Sequence, residues 1–307
     1  MRAKAPGKVV ISGAYSVLES APAIVAAVDR YVTADTSLRG ELLTDEVRAA
    51  GIDCAYWFDA NELRHADRKL GLGSSAAILV ATLAALEWEQ SPELDAKLVA
   101  KRVYPKALEA HRAAQAGGSG IDVASSCFGG VLGFARRDDK TDLLPLRMPS
   151  GLVFEIWASR GAASTAKMLA TLRDYARALP SVYRSLMGAQ AQAAQRTSSA
   201  WQLDDTEAIL EGLVAQRHAL GQLGNAAGIP IVTSEVQVLA NLAEANGSVV
   251  LPAGAGGGDI ALFVGRQSSE FMLRAISEAQ HIRLPVQFGA AGVQHVPASE
   301  KMSSISQ

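Results

Sequence analysis

Short apolar runs alternate along the chain with longer segments in which apolar residues recur every three or four positions. The short runs are rich in β-branched residues and are bounded by Gly, Pro or charged residues, which predicts strands. They lie at Val9–Ile11, Ala23–Val32, Gly130–Phe134, Leu152–Trp157 and Ile260–Val264. The longer segments have helical spacing and predict helices. They lie at Ser75–Trp88, Pro92–Gln115, Ser164–Leu179, Thr206–Ala227 and Ser234–Ala245.

Local residues refine these elements. Pro105 should kink or divide the helix that begins at Pro92. Ser234, followed three residues later by Gln237, is typical of a capping box. The polar, turn-like stretch 136–140 and the prolines after it predict a domain boundary near residue 150, and therefore domains at residues 1–150 and 151–307.

The composition restricts the class of protein. With 307 residues, of which 49% are hydrophobic and 20% charged, the chain is long enough for a globular core. Its net charge of -2 argues against nucleic-acid and membrane-surface binding. The longest apolar stretch, Ala76–Leu86, is too short to span a bilayer. The N-terminus lacks a signal-peptide core, and Cys54 and Cys127 form no paired motif, which predicts a cytoplasmic protein with reduced thiols.

Three glycine-rich islands carry the candidate chemistry. In the first, Gly71–Ala76, two glycines and two serines open a helix, and the N–H groups of a helix N-terminus favour a phosphate. A simple glycine turn with a Ser cap is the alternative. The island is not a Walker A loop, because Val9 follows the Gly-Lys pair, and the charged run before it disfavours a dinucleotide fold. The hydrolase motif G-x-S-x-G is also absent from its serines.

The other two islands have different compositions. The second, Gly117–Gly120, places Asp122 just after a flexible turn, where it could cap a helix or receive a proton from a substrate. The third, Gly254–Gly258, has more glycine than packing requires, because ordered glycine is unfavourable in regular structure. It therefore predicts a close backbone approach to a ligand.

Taken in order, Ala5–Lys8, Gly71–Ala77 and Gly254–Asp259 resemble the three motifs of the GHMP kinases, which phosphorylate small molecules with ATP. Several further segments are similar to the phosphomevalonate kinases within that superfamily. They are Ala5–Glu19, Ala23–Val32, Lys69–Ala77, Ala110–Arg112 with Gln115, Gly118–Ala124, Ala163–Thr165 and Leu223–Ile231.

The resemblance implies an α+β fold of two domains, an N-terminal mixed α/β domain and a C-terminal ferredoxin-like domain, with the active site between them. It implies that Lys8 stabilises the transferring phosphoryl group and that Asp122 is a base or an orienting carboxylate. The ATP phosphates would be held by Gly71, Leu72, Gly73, Ser74, Ser75 and Ala76, and the hydroxyl of Ser75 would also bind Mg²⁺.

The resemblance further implies an anionic small-molecule acceptor. Its expected binding residues are Ser119, Arg160, Ser164, Thr165, Lys167, Ala255, Gly256 and Gly257. Residues 159–167 combine cations, hydroxyls and a helix N-terminus, which suits an anion, although an ordinary helix cap would have the same composition. We do not expect His111 to bind magnesium, since that ion prefers oxygen, and we place it on a helix surface or facing the substrate.

Three functions follow from the resemblance. The first is ATP-dependent phosphorylation of 5-phosphomevalonate, the second is the same chemistry on mevalonate or another small hydroxy acid, and the third is nucleotide sensing without turnover. Ala14, Leu251 and Ala253 stand where the superfamily usually has Glu, Lys and Ser. We expect a monomer or a homodimer.

Overall fold

The computed structural model describes residues 1–65, 68–115, 117–137, 140–159 and 165–297. The strands are β1 (Arg2–Ser12), β2 (Ala23–Arg39), β3 (Tyr56–Asp59), β4 (Arg64–His65), β5 (Arg68–Lys69), β6 (Val131–Arg137), β7 (Lys140–Leu146), β8 (Val153–Ala158), β9 (Val249–Pro252), β10 (Ile260–Gly265), β11 (Ile282–Leu284) and β12 (Gln294–His295). The α-helices are α1 (Asp45–Ala49), α2 (Ser74–Gln90), α3 (Ala96–Ala114), α4 (Ile121–Phe128), α5 (Thr165–Ala178), α6 (Pro180–Gln202), α7 (Thr206–Ala227), α8 (Ser234–Glu244) and α9 (Leu273–Glu278).

Two antiparallel sheets organise the chain. The first has the order β12-β1-β2-β6-β7, and β3 also pairs with β2. The second has the order β11-β8-β10-β9, and β4 and β5 form a small separate hairpin. Because β12 pairs with β1, the chain returns to the first sheet after completing the second.

The helix α2 lies at the centre of the first half. It is buried over most of its surface and contacts β1 and β2 as well as α3 and α4. Its many alanines allow this close approach from several sides. One continuous hydrophobic cluster includes Leu79 of α2, Val28 of the first sheet and Leu262 of the second, so the two sheets share a core.

All five predicted strands and all five predicted helices are present, with changed ends. The helix predicted from Pro92 begins at Ala96, because the Asp95 carboxylate accepts the Leu98 N–H at 2.8 Å and caps it. It is not divided at Pro105.

The predicted capping box is wrong. The hydroxyl of Thr233 accepts the Val236 N–H at 3.3 Å, so the cap lies one residue earlier than Ser234.

Other elements were not predicted. The helix α6 consists largely of Ala, Gln and Ser, which produces little apolar periodicity. Within the stretch predicted as a turn near residues 136–140, Arg136, Arg137 and Lys140 belong to the paired strands β6 and β7 of the first sheet, and residues 138–139 lie outside the described residues. The domain boundary near residue 150 stays a prediction.

Within the described ranges, no helix is both long enough and apolar enough to cross a membrane.

Candidate active site

The first glycine island is attached to β1. The N–H of Lys8 donates to the carbonyl oxygen of Leu72 at 2.8 Å. Gly73, with a φ of 80°, precedes α2 in the left-handed conformation, and a Cβ atom there would lie 3.0 Å from both Cγ and Cε of Lys8. The side chain of Lys8 therefore lies against the loop, and glycine permits both the backbone conformation and the contact.

The third island lies between β9 and β10 of the second sheet and approaches both the first island and Lys8. A Cβ atom at Gly71 would lie 3.2 Å from Cβ of Asp259, so the two islands touch. A Cβ atom at Gly254 would lie 4.0 Å from Nζ of Lys8. The ammonium group of Lys8 consequently lies between the first and third islands.

The second island contributes the carboxylate of Asp122. This residue lies within the first turn of α4, and Gly120 is the N-cap residue, so Asp122 is not the helix cap. Its Oδ1 accepts the Val123 N–H at 3.1 Å, and its Oδ2 lies 3.2 Å from Nε2 of His111.

Burial and neighbouring charges act against each other on the pKa values of Asp122 and Lys8. Burial opposes the charged form of Asp122, but the contact with His111 and the charge of Lys8 outweigh it and hold the pKa of Asp122 well below its usual range. Burial outweighs the opposing charges of Asp122 and Asp259 at Lys8, so the pKa of Lys8 lies below its ordinary value. Lys8 and Asp122 line the same part of the site.

Two cavities meet at Lys8 and Asp122, and Gln115 and Ala255 also line both. The larger cavity has a volume of about 630 Å³ and the smaller one about 130 Å³. The other residues of the larger cavity are Arg68, Lys69, Gly71, Gly73, Ser74, Ser75, Ala253, Gly256 and Asp259. The other residues of the smaller cavity are mostly apolar or small: Val10, Ala14, Tyr15, Val17, Leu18, His111, Gly118, Ser119, Gly120, Ile121, Leu169 and Gly254.

The site residues predicted from the sequence are distributed unequally between the two cavities. Gly71, Gly73, Ser74, Ser75 and Gly256 line the larger cavity, Ser119 lines the smaller one, and Ala255 lines both.

Three further predicted residues line neither cavity, and their binding roles stay predictions. Leu72 and Ala76 are buried in the core behind the glycine loop. Gly257 donates its N–H to the carbonyl oxygen of Ile231 at 3.2 Å. A Cβ atom at Gly256 would lie only 2.2 Å from that same oxygen, so the third island is glycine-rich partly because two backbone segments approach each other.

The predicted acceptor segment is only partly described. Arg160 and Ser164 lie outside the described residues. Thr165 is the first residue of α5, and Lys167 lies in its first turn and is exposed. Their roles stay predictions.

Several residues of the site were not predicted. Arg68 and Lys69 line the larger cavity, and the charged run before the glycine loop was the available signal for them. The hydroxyl of Tyr15 donates to the carbonyl oxygen of Ala255 at 2.6 Å and so joins the segment after β1 to the third motif. His111, expected on a helix surface or facing the substrate, is only 2% exposed and lines the smaller cavity, so the first of these alternatives is wrong.

The chain has recognisable relatives. Residues 60–130 match the family model described as the GHMP kinases N terminal domain. The chain is 25% identical to the phosphomevalonate kinase of Streptomyces sp. (strain CL190), over 98% of this chain and 97% of that protein.

Solved structures of two proteins are also similar to this chain. A Lin0012 protein from Listeria innocua matches with a TM-score of 0.81 and 23% identity, covering 96% of this chain and 99% of that one. The phosphomevalonate kinase of Streptococcus pneumoniae, in complex with phosphomevalonate and AMPPNP, matches with a TM-score of 0.73 and 17% identity, covering 94% and 99%. These likenesses confirm the two-domain α+β fold predicted from the sequence motifs.

Proposed function

Because this chain is a phosphotransferase with the GHMP kinase fold, we propose that it transfers the terminal phosphoryl group of ATP to 5-phosphomevalonate, forming 5-diphosphomevalonate and ADP. The observation that carries this proposal is the meeting of two cavities at Lys8 and Asp122. A donor in one cavity and an acceptor in the other would bring their reacting atoms to this pair, and such alignment supplies much of the catalysis in phosphoryl transfer.

The larger cavity suits the nucleotide. The N-terminus of α2 opens onto it at Ser74, and free N–H groups there favour the phosphates. Arg68 and Lys69 on its wall add positive charge. Its volume of about 630 Å³ falls within the usual range for sites that bind cofactors.

The same cavity fits magnesium. The hydroxyl of Ser75 and the carboxylate of Asp259 both line it, and Mg²⁺ prefers oxygen ligands while keeping several waters. No group of three potential metal-binding His, Cys, Asp or Glu side chains occurs in the described part of the chain. When bound, the ion would neutralise phosphate charge. Chelation should abolish turnover, and added Mg²⁺ should restore it.

The chemistry favours an acceptor that is already ionised. An acceptor oxygen attacks the terminal phosphorus, the bond from that phosphorus to the ADP oxygen breaks, and the ammonium of Lys8 stabilises the developing charge. Asp122 is a weak base, because its neighbours hold its pKa low. An alcohol would have to lose a proton during transfer, whereas a phosphate monoester, with a second pKa of about 6, is largely dianionic at neutral pH. In this proposal Asp122 acts as an orienting carboxylate, whose charge favours the ammonium form of Lys8.

A second acceptor class has its own support. Lys8 is the only Lys or Arg among the described residues that line the smaller cavity, which favours a small aliphatic acceptor with fewer charges, such as mevalonate or another hydroxy acid. A non-catalytic nucleotide sensor does not agree with the assignment of the chain as an enzyme.

A panel of acceptors separates these possibilities. Purified protein is mixed with MgATP and either phosphomevalonate, mevalonate or another small hydroxy acid, and ADP release is followed by a coupled assay. The largest kcat/KM should belong to phosphomevalonate, with a diphosphate product visible by ³¹P NMR. A larger kcat/KM for mevalonate would replace the proposed acceptor, and the absence of ADP release with every acceptor tested would remove the proposal.

A further inference from the structure

His111 is a buried titratable group that the proposed reaction leaves without a role. It projects from α3, is 2% exposed, and lines the smaller cavity. Its Nε2 lies 3.2 Å from Oδ2 of Asp122 in an ion-pair contact. Neither ring nitrogen makes a well-aligned hydrogen bond within the described residues. The contact with Asp122 is thus the principal polar interaction of this buried ring.

The charged groups around the ring come from three other elements. Asp122 faces it from α4, Glu46 from α1 and Lys8 from β1. Glu46 is itself buried and accepts a hydrogen bond from Nε2 of Gln115 at 3.4 Å. Burial lowers the pKa of His111, but the two carboxylates raise it more than burial and Lys8 lower it, so the pKa lies above its ordinary value. The ring therefore carries its proton at neutral pH more readily than an ordinary histidine does.

We propose that His111 is a positioning residue for Asp122: its protonated ring holds the carboxylate at the junction of the two cavities, where Asp122 orients the ammonium of Lys8. This inference rests on the proposed function, in which Lys8 and Asp122 act on the transferring group. Loss of the ring's proton as the pH rises leaves the Asp122 carboxylate without its imidazolium partner. Turnover should therefore fall through the pH range in which His111 titrates.

Two substitutions of His111 distinguish a positioning role from a purely structural one. His111→Leu removes the charge and with it the ion-pair contact with Asp122, and kcat should fall roughly 10- to 100-fold, the range for a lost interaction with a charged group. His111→Gln keeps a neutral donor, so it should recover part of this loss and also lose the alkaline decline that His111 causes. The KM for ATP should change little in either variant. A role in packing alone would give equal losses and an unchanged pH profile, which would overturn the proposal.

A second buried histidine provides the matched control. His281 is 4% exposed, and its Nδ1 lies 2.8 Å from the carbonyl oxygen of Ala279, in the second half of the chain. His281→Gln should preserve the wild-type pH profile. Glu46→Gln should move the decline to lower pH, because it removes one of the negative charges that keep the ring protonated. If His111→Gln keeps the wild-type decline, another group causes it and the proposal is wrong.

The ion pair can also be measured without turnover. NMR titration of the imidazole nitrogens in the full-length protein should show His111 titrating above the ordinary pKa of histidine, and at lower pH in Asp122→Asn. An unchanged titration in that variant would overturn the inference whatever the enzyme's activity. A shifted titration in a protein with no kinase activity would instead contradict the proposed function and leave the ion pair intact.

Discussion

The two cavities that meet at Lys8 and Asp122 are built in different ways. The larger one is polar and is formed by the glycine loop, a helix N-terminus and the side chains of Arg68 and Lys69. The smaller one has about a fifth of that volume and is walled mainly by apolar or small residues, with Tyr15 among them. The larger cavity therefore presents backbone groups and charged side chains, whereas the smaller cavity presents a confined and mainly apolar wall.

This difference explains why the two sides depend on different features of the chain. A phosphate chain can be held by N–H groups that any residue supplies, provided that glycine allows the loop to form. A small acceptor is positioned by particular side chains in a confined space. Substitutions at the junction should therefore affect the reaction with both ligands, while those in one cavity should affect one ligand only.

The largest effect should come from Lys8→Met at the junction. Removing the charge that stabilises the transition state should lower kcat roughly 10³-fold with saturating ATP and acceptor. Lys69→Met is the matched control, since Lys69 lines only the larger cavity. That variant should raise the KM for ATP and largely preserve kcat. A normal rate in Lys8→Met would exclude Lys8 from the mechanism.

A somewhat smaller loss of kcat is expected for Asp122→Asn. The amide keeps the shape but not the charge, so kcat should fall about 10²-fold while ATP binding and folding persist. Calorimetric ATP binding and thermal unfolding check the last two points. Asp259→Asn changes a carboxylate that lines the larger cavity alone and should not alter the acceptor's KM. Near-normal turnover in Asp122→Asn would leave this residue without a role in transfer.

Gly73→Ala tests the larger cavity by itself. A side chain at a φ of 80° costs about 1–3 kcal/mol, and the added methyl group would press on Lys8. We expect lower stability and a KM for ATP raised roughly tenfold. Gly51→Ala shares the positive φ, at 75°, but its methyl group would enter open space. It should reproduce the loss of stability alone; an equal rise in the KM for ATP would show that backbone strain, and not the loop, is responsible.

The smallest change in kinetic constants is expected for substitutions in the predicted acceptor-binding segment. Changing Ser164 and Thr165 together to Ala should raise the acceptor's KM up to tenfold, by about 1.4 kcal/mol of lost hydrogen bonding, with little change in the KM for ATP. Thr171→Ala alters a threonine later in α5, whose hydroxyl donates to the carbonyl oxygen of Lys167 at 3.2 Å, and should leave both KM values unchanged. A higher KM for ATP alone would assign the segment to the other ligand.

Much of the architecture could be predicted from local pattern. The strand at Ile260–Gly265 and the helix at Thr206–Ala227 follow the predicted bounds closely, because apolar periodicity reports which face of an element is buried. The helix α6 was missed because its Ala, Gln and Ser residues show little of that periodicity. It is helical because it packs along α7 and against the segment Ser16–Glu19 that follows β1, which is a tertiary effect.

At the junction of the cavities, too, some features follow from local sequence and others from tertiary packing. The sequence by itself determined the three glycine islands, Lys8, Asp122 and the helix that begins at the first island, since each depends on neighbouring residues. Only the tertiary structure decided that Asp259 lies against Gly71, that Arg68 lines the larger cavity and that His111 is buried beside Asp122. The physical reason is that these contacts join separate elements, whose relative positions depend on how the shared core packs and not on the spacing of residues along the chain.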